Sequence, residues 1–254
     1  MVKLTNPVGT RQVGGHWGGP VSMLFEDGLV KKPVGAQEIE FYRTAPQSAM
    51  IPAFHGTETR TERISETETK AVEYVVLSDA TSGFAKPCVL DVKIGLHTWF
   101  AGCSADKRRR CEELDEATTS ATFGFKLTGM RTKDPATGED RDYPRDVAWH
   151  MRTDAELLGV FREFLSCCPQ ERVAGTVGLF CDRIRAAAEL VRSERLELRS
   201  SSLLFVYDAE RNSEKAPEVV MIDFAHTRRL APGSVDEGYI FGCNELSRIL
   251  NLLL

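Results

Sequence analysis

No run of about eighteen apolar residues occurs in the 254-residue chain, so no segment of it is expected to span a bilayer. Met1–Gly19 has no apolar stretch of the kind that marks a secretory signal, and an intracellular chain, cytoplasmic or nuclear, is expected. The seven cysteines include no Cys-x-x-Cys pair, and no histidine stands at zinc-ligand spacing from them. Neither a structural zinc site nor a disulfide framework is expected from such a set, and Cys88 and Cys181 read as small core residues. Neither GxGxxG nor GxxxxGK[ST] is present, so the glycine-rich first 35 residues carry no nucleotide-loop signature. An excess of positive charge is missing too. Lys and Arg number 32 against 37 Asp and Glu, a net charge of -5, which argues against a chain held to nucleic acid or membrane by bulk charge. What is present is ordinary: 42% hydrophobic and 27% charged residues, enough to bury a core in one large domain or two small ones.

Periodicity divides the chain. Val21–Phe25 and Leu29–Lys31 flank Glu26-Asp27-Gly28 and read as two short strands joined by a tight turn. Gln37–Arg43 has helical spacing. Glu73–Asp79, Pro87–Gly95 and Phe123–Arg131 read as strands, with a charged segment, Asp106–Glu116, before the third. Thr153 or Asp154 caps a predicted helix to about Leu165, and a second amphipathic helix is predicted over 177–195. Ser202–Asp208 and Val219–Phe224 then form a predicted hairpin across Ala209–Pro217, and Asn244–Leu254 a closing leucine-rich helix. Strands and one helix come first and a larger mixed region follows, so a small lobe (1–78) and a large lobe (79–254) are expected to meet near residue 80.

Charged residues cluster at the ends of apolar strands, where they cost stability unless a ligand uses them. Asp91-x-Lys93 follows Pro87, Ser202 opens an apolar strand, and Asp223 closes Val219–Ile222. Taken alone, Asp223 reads as a turn cap as readily as a magnesium ligand. With the strand lysine Lys31 and the helical glutamate Glu38 it makes a kinase-like set: a cation for phosphates, its orienting carboxylate and a metal ligand.

These residues carry a resemblance. Pro87-Cys-Val-Leu-Asp91-Val-Lys93-Ile-Gly95 resembles the PxxxDxKxG signature of the inositol polyphosphate kinase family. Ser201–Asp208 and Ile222-Asp223-Phe224-Ala225-His226-Thr227 are similar to that family's two later motifs, and Gln12–His16 and Thr118–Phe125 also match. Five ordered blocks span nearly the whole chain. Within the family, Asp91–Gly95 and Ile222–Thr227 look most like the multikinases.

The resemblance implies an α+β fold of the two-lobed, protein-kinase-like kind (ATP-grasp/inositol polyphosphate kinase), with antiparallel strands and one helix in the small lobe. It implies an ATP- and Mg²⁺-dependent kinase acting on soluble inositol tris- and tetrakisphosphates. By the same resemblance Lys31 meets the ATP phosphates with Glu38 as its partner, backbone groups within Leu77–Ala80, at Ser78 and Ala80, meet adenine, and Asp91 accepts from ribose. Lys93 is then the catalytic cation that also touches substrate, Asp223 and Ser202 hold Mg²⁺, and His226 reaches the inositol phosphate. The run Lys107-Arg108-Arg109-Arg110 reads by itself as a solvated face or a nuclear-targeting patch. The resemblance places it in a substrate-binding segment at about 100–120, with Lys107 and Arg110 at i, i+3 spacing and Arg108 beside them. Arg228 and Arg229 read either as part of that positive rim or as simply exposed.

Other readings keep the motif but change its use. A hexakisphosphate kinase, a kinase of phosphoinositide headgroups, or an inactive nucleotide-binding scaffold would share it. A monomer is expected. A net charge of -5 is compatible with one cleft in which Lys31, Lys93, Lys107, Arg108 and Arg110 converge.

Overall fold

The structure, a computed structural model, describes residues 21–254. The Gln12–His16 block lies outside them. Asp27 and Gly28 have φ of 51° and 77°, a pair of left-handed residues that suits a two-residue hairpin turn between twisted strands. That turn joins β1 (Leu24–Glu26) to β2 (Leu29–Pro33), and α1 (Ala36–Thr44) follows. β3 (Phe54–Arg63) and β4 (Thr69–Ser78) complete an antiparallel sheet in the order β1-β2-β4-β3. β3 is the strand that periodicity misses. Its sequence, FHGTETRTER, lies on a sheet edge and alternates half-buried with exposed residues but holds almost no apolar ones.

The chain crosses to a second sheet between Ser78 and Pro87. β5 (Pro87–Ile94) lies at its centre, in the all-antiparallel order β10-β9-β5-β6-β7, with β6 at Phe125–Lys133, β7 at Asp140–Tyr143, β9 at Ser202–Asp208 and β10 at Glu218–Ile222. Pairing on both edges explains why β5 is buried almost throughout and still presents Asp91 and Lys93 beside Leu204 and Ser202 of β9. β8 (Leu196–Leu198) and β11 (Thr227–Arg229) form a small separate ladder.

The predicted helices are found with shifted starts. α2 (Ala105–Ala117) takes up the charged segment and is capped by Ser104, whose side chain accepts from the Lys107 amide. Phe123 belongs to a four-residue turn, α3 (Ser120–Phe123), rather than to the strand after it. α4 (Asp154–Phe164) opens with a Thr153/Glu156 capping box. α5 (Gln170–Ser193) begins seven residues before the apolar stripe, directly after Pro169, and α6 (Glu237–Asn251) begins after the buried cap Asp236. Among the described residues no helix is long and apolar enough to cross a membrane. All seven cysteines are free thiols, with Cys88 and Cys181 in the core as expected.

Two clasps fix the five-stranded sheet. Buried Asp208, at the end of β9, accepts from the amides of Ala85 (2.9 Å), Lys86 (2.8 Å) and Glu210 (3.0 Å) and from the Ser213 hydroxyl (2.7 Å). Burial raises its pKa, but these donors outweigh burial and keep the carboxyl below its ordinary value. It therefore anchors the crossing segment to the 209–217 hairpin. The second clasp is steric. The Gly95 amide, just past Lys93, donates to Gly124 O at 2.7 Å, and α6 packs against that carbonyl through Gly242. A Cβ on Gly242 would fall 2.0 Å from Gly124 O. Gly242→Ala is accordingly expected to destabilise the fold by about 3 kcal/mol, the upper range for overpacking a tight core. A denaturant midpoint equal to that of the parent chain would show that the backbone yields there at little cost.

Candidate active site

A cleft lies where the two sheets meet. Its walls come from Val30, Tyr42, Leu77, Val89, Leu204 and Ile222, and its polar end from Lys32 and Asp223. Such a mostly apolar slot closed by a few charges suits a flat base with an anionic tail.

At the polar end, Lys32 Nζ donates to Glu38 Oε1 at 2.6 Å and to Asp223 Oδ1 at 2.7 Å. Glu38, almost fully buried on α1, also accepts from the Phe224 amide at 3.1 Å. One carboxylate thus ties the small-lobe lysine to the backbone just past Asp223. Phe224 is buried beneath, stacked on Phe41 at 4.0 Å between centroids. Burial opposes the charge on Lys32, yet the two carboxylates more than compensate and its pKa is raised.

This geometry corrects one sequence expectation. Lys31 does not enter the cleft: its ammonium meets Glu26 at 3.1 Å and Glu58 at 2.9 Å. Successive strand residues face opposite sides, so Lys31 and Lys32 cannot share a target. The face with Val30, packed on the core beside α1, is the one that carries Lys32. The sequence does not tell the faces apart, since Leu29 shares a face with Lys31 as Val30 does with Lys32.

Asp223 closes β10 with φ of 66°, a left-handed conformation that non-glycine residues seldom adopt and that Asp tolerates better than most. Burial works against its charge, but Lys32 and Lys93 override burial and hold its pKa at about 2. Lys93 Nζ lies 3.6 Å from Asp223 Oδ2 and donates to Ser200 O at 2.9 Å. Among the described residues, Asp91 Oδ1 and Ser202 Oγ, both buried, have no hydrogen-bond partner of good geometry, although Ser202 and Thr128 lie near enough to Asp91 to favour its charge. Burial, more than any neighbour, raises the Asp91 pKa, with Lys93 opposing. Orphaned buried oxygens are costly, and two flanking Lys93 mark a place built to receive donors or a cation.

At the crossing segment, Leu77, Ser78 and Ala80 all line the cleft as expected. The Ser78 amide, however, donates to Ala53 O at 2.9 Å and is committed to the fold. The main-chain groups of Ala80 make no hydrogen bond among the described residues.

The basic run divides by helix geometry. Arg108 pairs with Glu112 at 2.8 Å and lies over the Trp99 ring, so it is committed locally rather than joined to the cluster. Arg109 pairs with Asp106. Among the described residues Lys107 and Arg110 have no ion pair; Lys107 Nζ lies 4.3 Å over Phe100, and Arg110 Nε donates to Asp106 O. The ring of His226 stacks on the same Phe100, its Nδ1 buried without a partner. Burial first, and then Lys107, lower the His226 pKa, which favours the neutral imidazole. Arg228 and Arg229 are bound to Glu197 and Glu194 and add nothing to the cluster.

The sequence gives no individual role to Asp115, Lys126, Trp99 or Phe100, although Thr98–Phe100 is a stretch that resembles the plant-like multikinases and the expected substrate-binding segment of about 100–120 includes Phe100 and Asp115. Asp115 and Lys126 are buried and paired at 3.5 Å, and burial, more than the Asp115 charge can offset, lowers the Lys126 pKa.

Comparison with known proteins fits this site. A family model described as inositol polyphosphate kinase matches residues 74–251. An inositol polyphosphate multikinase of Schizosaccharomyces pombe is 26% identical over 96% of both chains. The inositol polyphosphate multikinase beta of Arabidopsis thaliana is 25% identical over 95% of this chain and 92% of its own. Among solved structures, the inositol phosphate multikinase Ipk2 of S. cerevisiae, in complex with ADP and Mn²⁺, superposes with a TM-score of 0.76 at 25% identity. That match covers 89% of this chain and 99% of the other.

Proposed function

The chain belongs to the inositol polyphosphate kinase family, and from that premise we propose that it transfers the γ-phosphoryl group of ATP to hydroxyls of inositol tris- and tetrakisphosphates, in the manner of a multikinase. The observation that carries this reading is the convergence of Lys32 and Lys93 on Asp223 at the polar end of the cleft. A nucleotide would lay its base between Leu77, Val89 and Leu204, against the main chain of Ala80, with its ribose hydroxyls donating to Asp91. Its phosphates would then reach Lys32. Multikinase relatives match over nearly the whole chain, and one of them is seen with a nucleotide and a divalent ion.

The residues present also fit Mg²⁺. That ion is held by one or two protein oxygens plus phosphates and water, and Asp223 with the unpartnered Ser202 hydroxyl supplies such a set. Bound there, the ion would neutralise charge on the phosphates. Once Lys32 and Lys93 have phosphate to meet, the Asp223 oxygens that they now share become available. The acceptor hydroxyl oxygen would bond to the γ-phosphorus as the bond from that phosphorus to the bridging oxygen of ADP breaks, the hydroxyl proton passing to an oxygen of the transferred phosphoryl group or to solvent. Held by Lys32 and Lys93, and given over to the cation once those lysines turn to phosphate, Asp223 is not free to take the acceptor's proton. Alignment and charge stabilisation, chiefly by Lys93, carry it instead. Lys107, Arg110 and His226 would hold the acceptor's phosphates.

The test is incubation with ATP, Mg²⁺ and a panel of inositol phosphates and phosphoinositides, with products resolved by chromatography. Transfer to a trisphosphate and a tetrakisphosphate is expected. Transfer to inositol hexakisphosphate alone, to a lipid headgroup alone, or to none of the panel would overturn the reading.

A further inference from the structure

Between Gly95 and the start of α2 the chain runs through His97, Thr98, Trp99 and Phe100, four successive residues each with a defined partner. The Thr98 amide donates to Asp115 Oδ2 at 2.6 Å and its hydroxyl to the same carboxylate at 3.0 Å, which pins the last full turn of α2. His97 stacks on Trp99 at 4.6 Å between centroids, and Arg108 lies over Trp99 at 4.0 Å. Phe100 holds Lys107 at 4.3 Å and the His226 ring at 3.8 Å, nearly parallel with an interplanar angle of 18°. The strap is tied to the catalytic lysine as well. Ser200 Oγ donates to Thr98 O at 3.1 Å, while Ser200 O accepts from Lys93 at 2.9 Å.

Phe100 therefore joins two groups that come from opposite ends of the sequence and have no direct bond to one another. Lys107 lies on α2 and His226 lies after β10. A lysine has a long flexible stem, and fixing it only when substrate arrives costs entropy at that moment. Attraction to the face of an aromatic ring fixes the ammonium beforehand. Stacking on that ring fixes the imidazole plane at the same time.

We propose that Phe100 is a positioning residue for the phosphorylated acceptor, an aromatic spacer that presets Lys107 and His226 as one anion-binding pair. The inference rests on the reading of this cleft as an inositol phosphate kinase site, and it deepens that reading by assigning a role to one aromatic residue at the start of the expected substrate-binding segment. Phe100 is half-buried at the surface, so its replacement leaves the core untouched.

Steady-state rates for the parent chain, Phe100→Leu and Phe100→Tyr, with ATP and inositol trisphosphate varied separately, test it. Phe100→Leu is expected to raise KM for the trisphosphate about tenfold, with KM for ATP and kcat changed less than about threefold. Phe100→Tyr keeps the aromatic face and is expected to return KM to near the parent value. Equal losses for both substrates, an unchanged KM in Phe100→Leu, or a Phe100→Tyr variant as impaired as Phe100→Leu would each overturn the proposal. A parent chain that phosphorylates no inositol phosphate would overturn the functional reading and this proposal together, whereas parent turnover with an indifferent Phe100→Leu overturns only the latter.

Discussion

Lys32→Met is expected to lower kcat/KM by about 10²-fold or more, while Lys31→Met changes it less than about threefold. The two lysines are adjacent, alike in charge and both in β2, so composition cannot separate them. The structure does. Lys32 bridges Glu38 and Asp223, whereas Lys31 lies in a partly exposed cluster with Glu26 and Glu58 on the other face of the strand. Loss of activity in Lys32→Met could also arise from unfolding, because Glu38 is buried and would lose its cation. Breaking a buried pair by removing one partner costs on the order of 3 kcal/mol. The double variant Lys32→Met/Glu38→Gln removes the orphaned charge as well and keeps a group able to accept from the Phe224 amide. It is expected to melt closer to the parent chain than Lys32→Met does, yet to stay inactive. Activity in the double variant, or a loss in Lys31→Met as large as in Lys32→Met, would refute the assignment.

That contrast shows where sequence reasoning succeeds and where it stops. Asp91, Lys93, Ser202 and Asp223 were legible because each sits at a fixed offset in a strand whose alternation or burial is strong, and register then brings them together. Lys31 closes the predicted strand, whereas β2 runs on to Pro33 and includes Lys32 as well. A one-residue difference on a strand reverses the face. β3 was illegible for a different reason: an edge strand of Thr, Glu and Arg carries no hydrophobic period. The Phe100 pairings and the Asp115–Lys126 pair are tertiary. Phe100 meets His226 across 126 positions of sequence, and no local pattern encodes such a contact. Leu77, Ser78 and Ala80 line the cleft, but which of their amides are already spent depends on Ala53 lying alongside, which no local pattern shows.

Asp223→Asn and Lys93→Ala are each expected to lower turnover by about 10³-fold with the fold retained, for different reasons. Asn keeps the size of Asp and accepts the left-handed backbone at φ of 66°, so the β10 end needs no rearrangement. What it removes is the one negative charge between two lysines, and with it an oxygen able to hold a cation against the phosphates. Lys93 is partly exposed and held by a carbonyl of Ser200; its truncation leaves Asp223 paired with Lys32, and buried Asp91, which loses its favouring cation, takes up a proton rather than staying charged. What it removes is positive charge at the point where phosphoryl, acceptor and Asp223 meet. Metal titration separates the two roles. Asp223→Asn is expected to require a higher Mg²⁺ concentration for its residual activity, whereas Lys93→Ala is expected to keep the parent Mg²⁺ dependence and to show a raised KM for the inositol phosphate. Near-parent turnover in either variant, with its melting transition intact, would remove that residue from the catalytic set. A normal Mg²⁺ dependence in Asp223→Asn would instead move the metal to another carboxylate, with buried Asp91 Oδ1 the first to examine.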